Sequence, residues 1–174
     1  MLNHFPKIIA MDIKTASLRL SSLLVLYDMH TIFFNKVLDT ITDIDAHNRL
    51  KTKANHIAWL TGSLVQQRVD LAQLLGKKEK QQAEDLFKDH QGIIDGVTYP
   101  PLKTFMQDWD NISPIARAAL TEVTDAQLDK FFEIPEMSMS YFDFIAFVIY
   151  REANCIGQIA LWRRLLNYPA MNYR

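Results

Sequence analysis

The sequence contains little cysteine, little glycine and almost no net charge. One cysteine in 174 residues allows no internal disulfide, which is typical of a protein in a reducing compartment. A net charge of -1 gives no general electrostatic attraction to nucleic acid or to an anionic membrane. We therefore expect a cytoplasmic protein with neither nucleic acid nor a membrane as its partner.

Long apolar runs and familiar catalytic motifs are also missing. The richest apolar run, residues 18–27, is interrupted by Arg19 and two serines, whereas a membrane-spanning helix needs about 20 mostly apolar residues. Residues 1–11 have no apolar core followed by a small-residue cleavage site, so no secretory signal is predicted. A Gly-rich phosphate loop, a Gly-x-Ser-x-Gly elbow and a His-Glu-x-x-His pair are all absent from the sequence.

Helical periodicity is the main feature that is present. The composition, 49% apolar and 22% charged, suits one globular domain over residues 1–174. Apolar residues recur at intervals of three and four, which builds a stripe along a helix. The first such stretch has about 30 residues and would form a rod of roughly 45 Å, which needs packing partners along its length. The fold class predicted is all-α, a four-helix bundle. The predicted helices are residues 12–41, 45–75, 102–120 and 140–167.

The segments between these helices carry recognisable start and stop signals. Gly76 is placed to end the second helix. Residues 76–101 form a long polar connection between helices 2 and 3, with a short helix over 82–89. A connection of this length is uncommon unless it crosses the bundle or shapes a site. In the third helix the apolar stripe continues past Pro114, which favours a kink over a second helix capped by Ser113.

Two further caps are predicted after the third helix. Thr124 is expected to cap a short helix over residues 125–132, followed by a loop at 134–136. Ser140 and Asp143 stand in a near-capping-box relation at the start of the fourth helix.

Two runs of residues are the most distinctive part of the sequence. The run at 150–161 reads YREANCIGQIAL, and the run at 55–64 reads NHIAWLTGSL. The first resembles the last-helix signature His-Glu-Ala-x-His-x-Gly-Gln-Ile of the DinB/YfiT-like helical bundles. The second resembles the Trp-Leu-x-Gly-His-Leu run of the same superfamily. The resemblance implies a DinB/YfiT-like four-helix bundle. The characterised members of this superfamily are metal-dependent enzymes that use small thiols, and many members are dimers.

The resemblance also implies where the family holds its metal. The three histidine positions of the motifs are Ser63, Arg151 and Cys155 in this sequence. A hydroxyl is a poor ligand for a borderline divalent ion, and a guanidinium has no lone pair to offer. Only Cys155 could coordinate, as thiolate. We therefore predict that the inherited metal site is lost and that no cofactor is bound.

Three alternatives remain open for individual residues. A displaced metal site could use His30, His56 and Glu152; otherwise the two histidines are buried and hydrogen-bonded. Cys155, four residues after Arg151, is either an activated nucleophile or a small buried apolar residue. Arg151 is either paired internally, with Glu122, Asp70 or another acid, or holds a small anionic ligand.

Two functional hypotheses follow. The first is a metal-free binding or assembly protein, expected to be a homodimer, with ligand-pocket candidates Ser63, Arg151, Cys155 and His56. Trp162, Arg163 and Arg164 are candidates for a subunit contact. The second is a thiol-dependent transferase or isomerase of the DinB/YfiT type that uses Cys155 or a relocated metal. It requires an open cleft between the second and fourth helices. The sequence identifies no catalytic residue.

Overall fold

The protein is mainly helical, as the periodicity predicts. The computed structural model describes residues 14–134 and 137–173, apart from the side chains at 90, 134 and 137. The predictions for residues 1–11, for the helix start at 12–13 and for the loop at 135–136 lie outside the described residues.

Six α-helices and two short strands are defined within the described part of the chain. The helices are α1 (Ser21–Leu38), α2 (Asp43–Ala46), α3 (Ile57–Leu74), α4 (Leu102–Glu122), α5 (Asp125–Leu128) and α6 (Tyr141–Leu165). The strands β1 (Phe131–Ile134) and β2 (Met137–Ser140) pair in an antiparallel hairpin, with Phe131 opposite Ser140. The hairpin is a small addition to a mainly helical fold, which agrees with the predicted all-α class.

The first two predicted helices are shorter than the apolar pattern indicates. Within the described residues the first α-helix covers Ser21–Leu38, which at 1.5 Å per residue gives a rod of about 27 Å. The second prediction, 45–75, is wrong in its first half. There, α2 ends at Ala46, Leu50 and Lys51 adopt positive φ angles of 47° and 59°, and α3 begins only at Ile57. The prediction fails here because apolar residues in the irregular loop before α3 continue the helical spacing by chance.

The end signals of the other elements agree with the prediction more closely. Gly76, with φ of 85°, follows the last turn of α3. Pro114 lies inside one continuous helix, α4. Ser140 accepts a hydrogen bond from the Asp143 amide at the start of α6, and Thr124 caps α5 with a full capping box. The predicted helix 125–132 is wrong beyond Leu128, and the predicted helix 82–89 is replaced by two 3₁₀ turns.

The four long helices pack in a ring in which α3 and α4 run parallel. In that pair Gly62 faces Phe105, and Arg68 faces Ser113. Contacts also join α1 with α4, α1 with α6, and α3 with α6. Because α3 and α4 are parallel, the chain that leaves the C-terminal end of α3 must return along the whole length of α3 before α4 can begin. This requirement explains the long connection between α3 and α4.

The connection covers the outer face of α3. Phe87 packs against Gly62 so closely that a Cβ built at Gly62 would overlap its ring. Gln81 donates from Nε2 to the Gly62 carbonyl oxygen at 3.3 Å and to Gln66 Oε1 at 2.7 Å. Consequently α3 is buried on almost every side, from Ile57 to Val69.

The core consists of two apolar clusters separated by a polar layer. One cluster contains Phe34, Leu60 and Ile159, and the other contains Leu24, Leu71 and Val148, each with further buried apolar residues. Between them, every long helix contributes a polar side chain that faces inward. These polar side chains are His30 and Thr31 on α1, Arg68 on α3, Ser113 on α4 and Glu152 on α6.

One helix, α6, is long and apolar enough to cross a membrane when judged by length and composition alone. This qualifies the prediction that the chain has no such segment, which considered only residues 18–27. Core helices meet the same criterion, and α6 packs against α1 and α3 and carries the buried Glu152 in its centre.

Candidate functional site

Two of the three positions that the resemblance assigns to metal ligands are in direct contact. Arg151 donates from Nη2 to the Ser63 hydroxyl at 2.6 Å. Its Nη1 donates to Gln67 Oε1 at 2.8 Å and lies 3.5 Å from the Ser63 carbonyl oxygen. Ser63 and Gln67 lie one turn apart on the same face of α3, so both meet the same side chain of α6. The site is therefore a hydrogen-bonded contact between the two helices.

The partners of Arg151 differ from the acidic residues that the sequence suggested for an internal ion pair. Both side chains that bind it, Ser63 and Gln67, are neutral. Of the two acids named as its partners, Glu122 lies 3.8 Å from Lys77 Nζ, and Asp70 accepts from Gln66. Within the described residues, no carboxylate forms an ion pair with Arg151. Arg151 is half-buried, so water can reach part of the side chain.

Cys155 lies one turn beyond Arg151 on α6. The residue is only 4% exposed and belongs to the apolar cluster around Phe34. Burial raises the pKa of the Cys155 thiol, and the opposing effect of Arg151 is smaller. A thiol with a raised pKa is mostly protonated at neutral pH, and the protonated form is a weak nucleophile and a weak metal ligand.

His56 lies apart from these three residues, at the start of α3. Its Nδ1 accepts a hydrogen bond from the Trp59 amide at 3.0 Å, so the imidazole acts as the N-cap of the helix. Its ring packs against His47 and Tyr99, with centroid distances of 5.3 and 5.0 Å. Burial, followed by the nearby His47, lowers the pKa of His56 to about 4. The imidazole is therefore neutral at physiological pH, as an accepting cap must be.

The polar layer is centred on Arg68, a residue to which the sequence analysis assigned no role. Arg68 and Glu152 are fully buried and form two hydrogen bonds, Nε to Oε1 at 2.6 Å and Nη2 to Oε2 at 3.0 Å. The remaining donors of Arg68 reach the Thr31 hydroxyl at 2.8 Å, the Ser113 hydroxyl at 2.6 Å and, at 3.4 Å, the Tyr27 carbonyl oxygen. One guanidinium thus contacts all three other long helices.

Aromatic rings enclose the same guanidinium. The ring of Tyr27 lies 3.9 Å from the Arg68 Cζ atom, and the ring of Trp109 lies 3.5 Å from it. Trp109 is held in turn by stacking on Phe34 at a centroid distance of 3.9 Å. A desolvated cation between two aromatic faces is favourably placed, because each ring presents its negative quadrupole to the charge.

Glu152 stays ionised within this layer. Burial by itself would raise its pKa, but the Arg68 charge and the hydrogen bonds from His30 and Arg68 outweigh burial and lower it. The His30 Nδ1 atom lies 3.2 Å from Glu152 Oε2. Both carboxylate oxygens of Glu152 are therefore engaged by protein donors.

The displaced metal site does not assemble from the residues named for it. His30 and Glu152 are in contact, but the contacts of His56 are with Trp59, His47 and Tyr99. In residues 14–134 and 137–173, no group of three or more His, Cys, Asp or Glu side chains is arranged to hold an ion.

A surface pocket found in the described part of the chain lies away from Ser63. One surface pocket, of about 290 Å³, lies beyond the C-terminal end of α3, where Leu75, Glu122, Lys130 and Tyr141 contribute to its wall. None of the four ligand-pocket candidates lines it.

The signal that could have revealed the polar layer was present in the sequence. Arg68 occupies a position in the apolar stripe of the second helix, and Glu152 lies between Val148 and Ile156 in the stripe of the fourth. A charged residue on a buried stripe requires a partner of opposite charge, because an unpaired buried charge is costly.

No protein-family model matches the chain, and no curated protein is detectably similar to it.

Proposed function

We propose that the chain is a four-helix bundle of the DinB/YfiT-like type that has lost the family metal site and acts as a non-catalytic binding or assembly protein. The contact between Arg151 and Ser63 carries the proposal. The resemblance implies that these two positions should lie together, and a guanidinium hydrogen-bonded to both Ser63 and Gln67 takes up the positions from which ligands would reach an ion. A homodimer in the cytoplasm, without nucleic acid or membrane partners, is part of the same proposal.

A designed reversal tests the proposal. We expect purified wild-type protein to carry less than about 0.1 equivalent of transition metal, and the triple variant Ser63→His/Arg151→His/Cys155→His to bind about one Zn²⁺, since three protein donors and an open position make a site. Elemental analysis and zinc titration provide the measurements. The control variant keeps Ser63→His and Arg151→His but places the third histidine at exposed Gln158.

Two results would contradict the proposal. One is wild-type protein that retains about one tightly held metal ion per chain after gel filtration. The other is a triple variant that is folded, as judged by circular dichroism, yet binds zinc no better than its control. The second result would show that the three positions do not converge as the resemblance implies.

The charge of Arg151 indicates the ligand class that such a binding protein would take. Its side-chain partners are neutral oxygens, so the guanidinium retains its attraction for an anion, and a carboxylate can accept two parallel hydrogen bonds from it. We expect acetate, succinate or citrate to raise the melting temperature of the wild type and not that of Arg151→Gln. An equal rise in melting temperature in both proteins would show that Arg151 does not bind the anion.

The alternative function, a thiol-dependent transferase or isomerase that uses Cys155 or a relocated metal, has less support. Its nucleophile is buried with a raised pKa. Its relocated ligands, His30 and Glu152, are bound to each other, and Glu152 is also bound to Arg68.

A further inference from the structure

An exposed stripe of mostly apolar residues follows the outer face of α6. Its members are spaced alternately three and four residues apart, which places them along one line of a helix. Three of them are large and strongly exposed: Phe147 at 47%, Tyr150 at 65% and Leu161 at 59%. The stripe lies on the side of α6 opposite Val148, Glu152 and Ile159, which face the core. The stripe consists of Phe147, Tyr150, Asn154, Gly157 and Leu161.

The stripe also contains a glycine that is not needed for packing within its own chain. Gly157 is helical, and a Cβ atom built on it would meet nothing within 4 Å. Glycine weakens a helix interior because it loses more backbone freedom on folding than any other residue. A glycine that no neighbour in its own chain requires leaves room for a side chain from elsewhere.

The two ends of the stripe carry opposite charges. Asp143 and Arg164 are both exposed and lie three heptads apart, so they fall close to the same line on the helix surface. Neither forms an ion pair within the described part of the chain. One oxygen of Asp143 accepts from the Ser140 hydroxyl, which leaves the other available.

We propose that this stripe is the interface with a second copy of the chain, in which two α6 helices pack antiparallel about a two-fold axis at Asn154. The spacing of the stripe then matches itself to within one residue, about 1.5 Å along the helix. Asp143 falls opposite Arg164 of the partner subunit, Phe147 opposite Leu161 of the partner subunit, and Tyr150 over Gly157 of the partner subunit. At the axis the two Asn154 side chains meet. Each can donate from Nδ2 to the Oδ1 atom of the other, which also accepts from Gln158 Nε2 of its own helix at 2.6 Å.

Parallel packing of the same faces lacks this match. It places Asp143 beside Asp143 of the partner subunit and Tyr150 beside Tyr150 of the partner subunit, so like charges and the largest side chains coincide. Only the antiparallel arrangement pairs opposite charges at both ends and a large residue with glycine. A two-fold interface of this kind uses the same patch on both subunits.

This inference rests on the homodimer in the proposed function and specifies its interface. A single pair of helices buries less than the standard interface of about 1,600 Å². The dissociation constant is therefore expected in the micromolar range. Sedimentation velocity of the full chain should show monomer and dimer exchanging between about 1 and 200 µM.

The first test fills the space at Gly157. Gly157→Gln should leave the fold intact, because nothing within the chain opposes the added side chain, but should collide with Tyr150 of the partner subunit. We expect at least a tenfold weaker dimer with an unchanged or higher melting temperature. The matched control is Ala118→Gln, which introduces the same side chain at an exposed position of α4 and should dimerise as the wild type does.

The second test exchanges the terminal charges. Arg164→Glu and Asp143→Arg each place like charges opposite one another at both ends and should weaken the dimer severalfold. The double variant Asp143→Arg/Arg164→Glu restores opposite charges and should recover most of the affinity. Because Asp143 also takes part in the cap of α6, the dissociation constant and not the melting temperature is the readout.

Several outcomes would overturn the inference. A Gly157→Gln protein that dimerises normally would leave the homodimer but place it on another face. A wild-type protein that stays monomeric at 200 µM would remove the dimer itself. Wild-type monomers that instead co-sediment with phosphatidylcholine vesicles would assign the stripe to a membrane. Metal content is independent of all three outcomes, so the lost-metal-site proposal stands or fails separately.

Discussion

Arg68 and Glu152 form a buried ion pair between α3 and α6, with two hydrogen bonds of 2.6 and 3.0 Å. Removing two charges from water is costly, and the mutual attraction compensates only when geometry is good and the other polar atoms are bonded. Here the guanidinium has further acceptors on α1 and α4, and the carboxylate has His30. The pair joins two apolar clusters through one polar layer.

Replacing Glu152 by glutamine tests the dependence of the fold on this pair. Glu152→Gln leaves the Arg68 charge buried without a counter-charge, and we expect the free energy of unfolding to fall by about 3–5 kcal/mol. Urea denaturation followed by circular dichroism measures the change. The control is Arg68→Met/Glu152→Met, which removes both charges and should recover much of the loss. If the double variant is no more stable than the single, the cost does not come from the unpaired cation.

This pair also shows how far the sequence could predict the site. The resemblance places positions 63 and 151 in one site, but the partners predicted for Arg151 were an acid or an anionic ligand, not the Ser63 hydroxyl. The pairing of Arg68 with Glu152 follows from no motif. Predicting it would require knowing how far α3 and α6 are shifted along each other. Periodicity identifies a buried face but not its register against another helix.

The fold was predictable to a similar extent. The caps at Ser140 and Thr124 are predicted correctly, because a hydroxyl residue just before a helix is a local signal. The irregular segment before α3 is wrongly predicted as helix, because Leu50 and Ala54 continue the helical spacing. The hairpin after α5 is not predicted, because the short run FFEI is followed by only one turn signal, a proline.

The N-cap of α3 should make the stability depend on pH. The pKa of His56 is lowered to about 4 from the ordinary 6.5 by burial and by His47. Between these pH values the unfolded chain binds more protons than the folded chain, so the contribution is fully present above pH 6.5 and is lost as the pH falls toward 4. Protonation also removes the Nδ1 lone pair that accepts from the Trp59 amide.

Replacing His56 by asparagine isolates this contribution. Asparagine keeps a side-chain acceptor at the N-cap but does not titrate. The difference in free energy of unfolding between wild type and His56→Asn should therefore change between pH 6.5 and 4 in favour of the variant. A difference that stays constant over this range would show that His56 does not titrate with the fold.

Cys155 should be inert in the folded protein. Burial raises the pKa of its thiol, so little thiolate is present at neutral pH, and the side chain is only 4% exposed. We expect iodoacetamide at pH 7.5 to alkylate it at least about 100-fold more slowly in the native protein than in urea. The control, Cys155→Ala/Gln158→Cys, carries its thiol on the exposed face of α6 and should react nearly as fast folded as unfolded. Faster native labelling of Cys155 would favour the nucleophile interpretation.

Gly62 and Gly157 are both helical glycines, and they should respond oppositely to alanine. A Cβ at Gly62 would overlap Phe87 and lie 2.6 Å from Phe105 Cε1, whereas at Gly157 it meets nothing within 4 Å. We expect Gly62→Ala to lower the free energy of unfolding by about 1–3 kcal/mol, since overpacking forces the connection away from α3. Gly157→Ala should be neutral or stabilising by up to about 1 kcal/mol, measured at low protein concentration.

The partner of the clash can be identified with a second substitution. Phe87→Leu shortens the side chain that blocks Gly62, so Gly62→Ala/Phe87→Leu should cost less than the two single changes together. Contacting residues commonly show a coupling of about 0.5–3 kcal/mol in such a cycle. Urea denaturation of the four proteins gives the coupling free energy directly. Additive costs would mean that the connection does not pack on Gly62, and the account of how it covers α3 would be wrong.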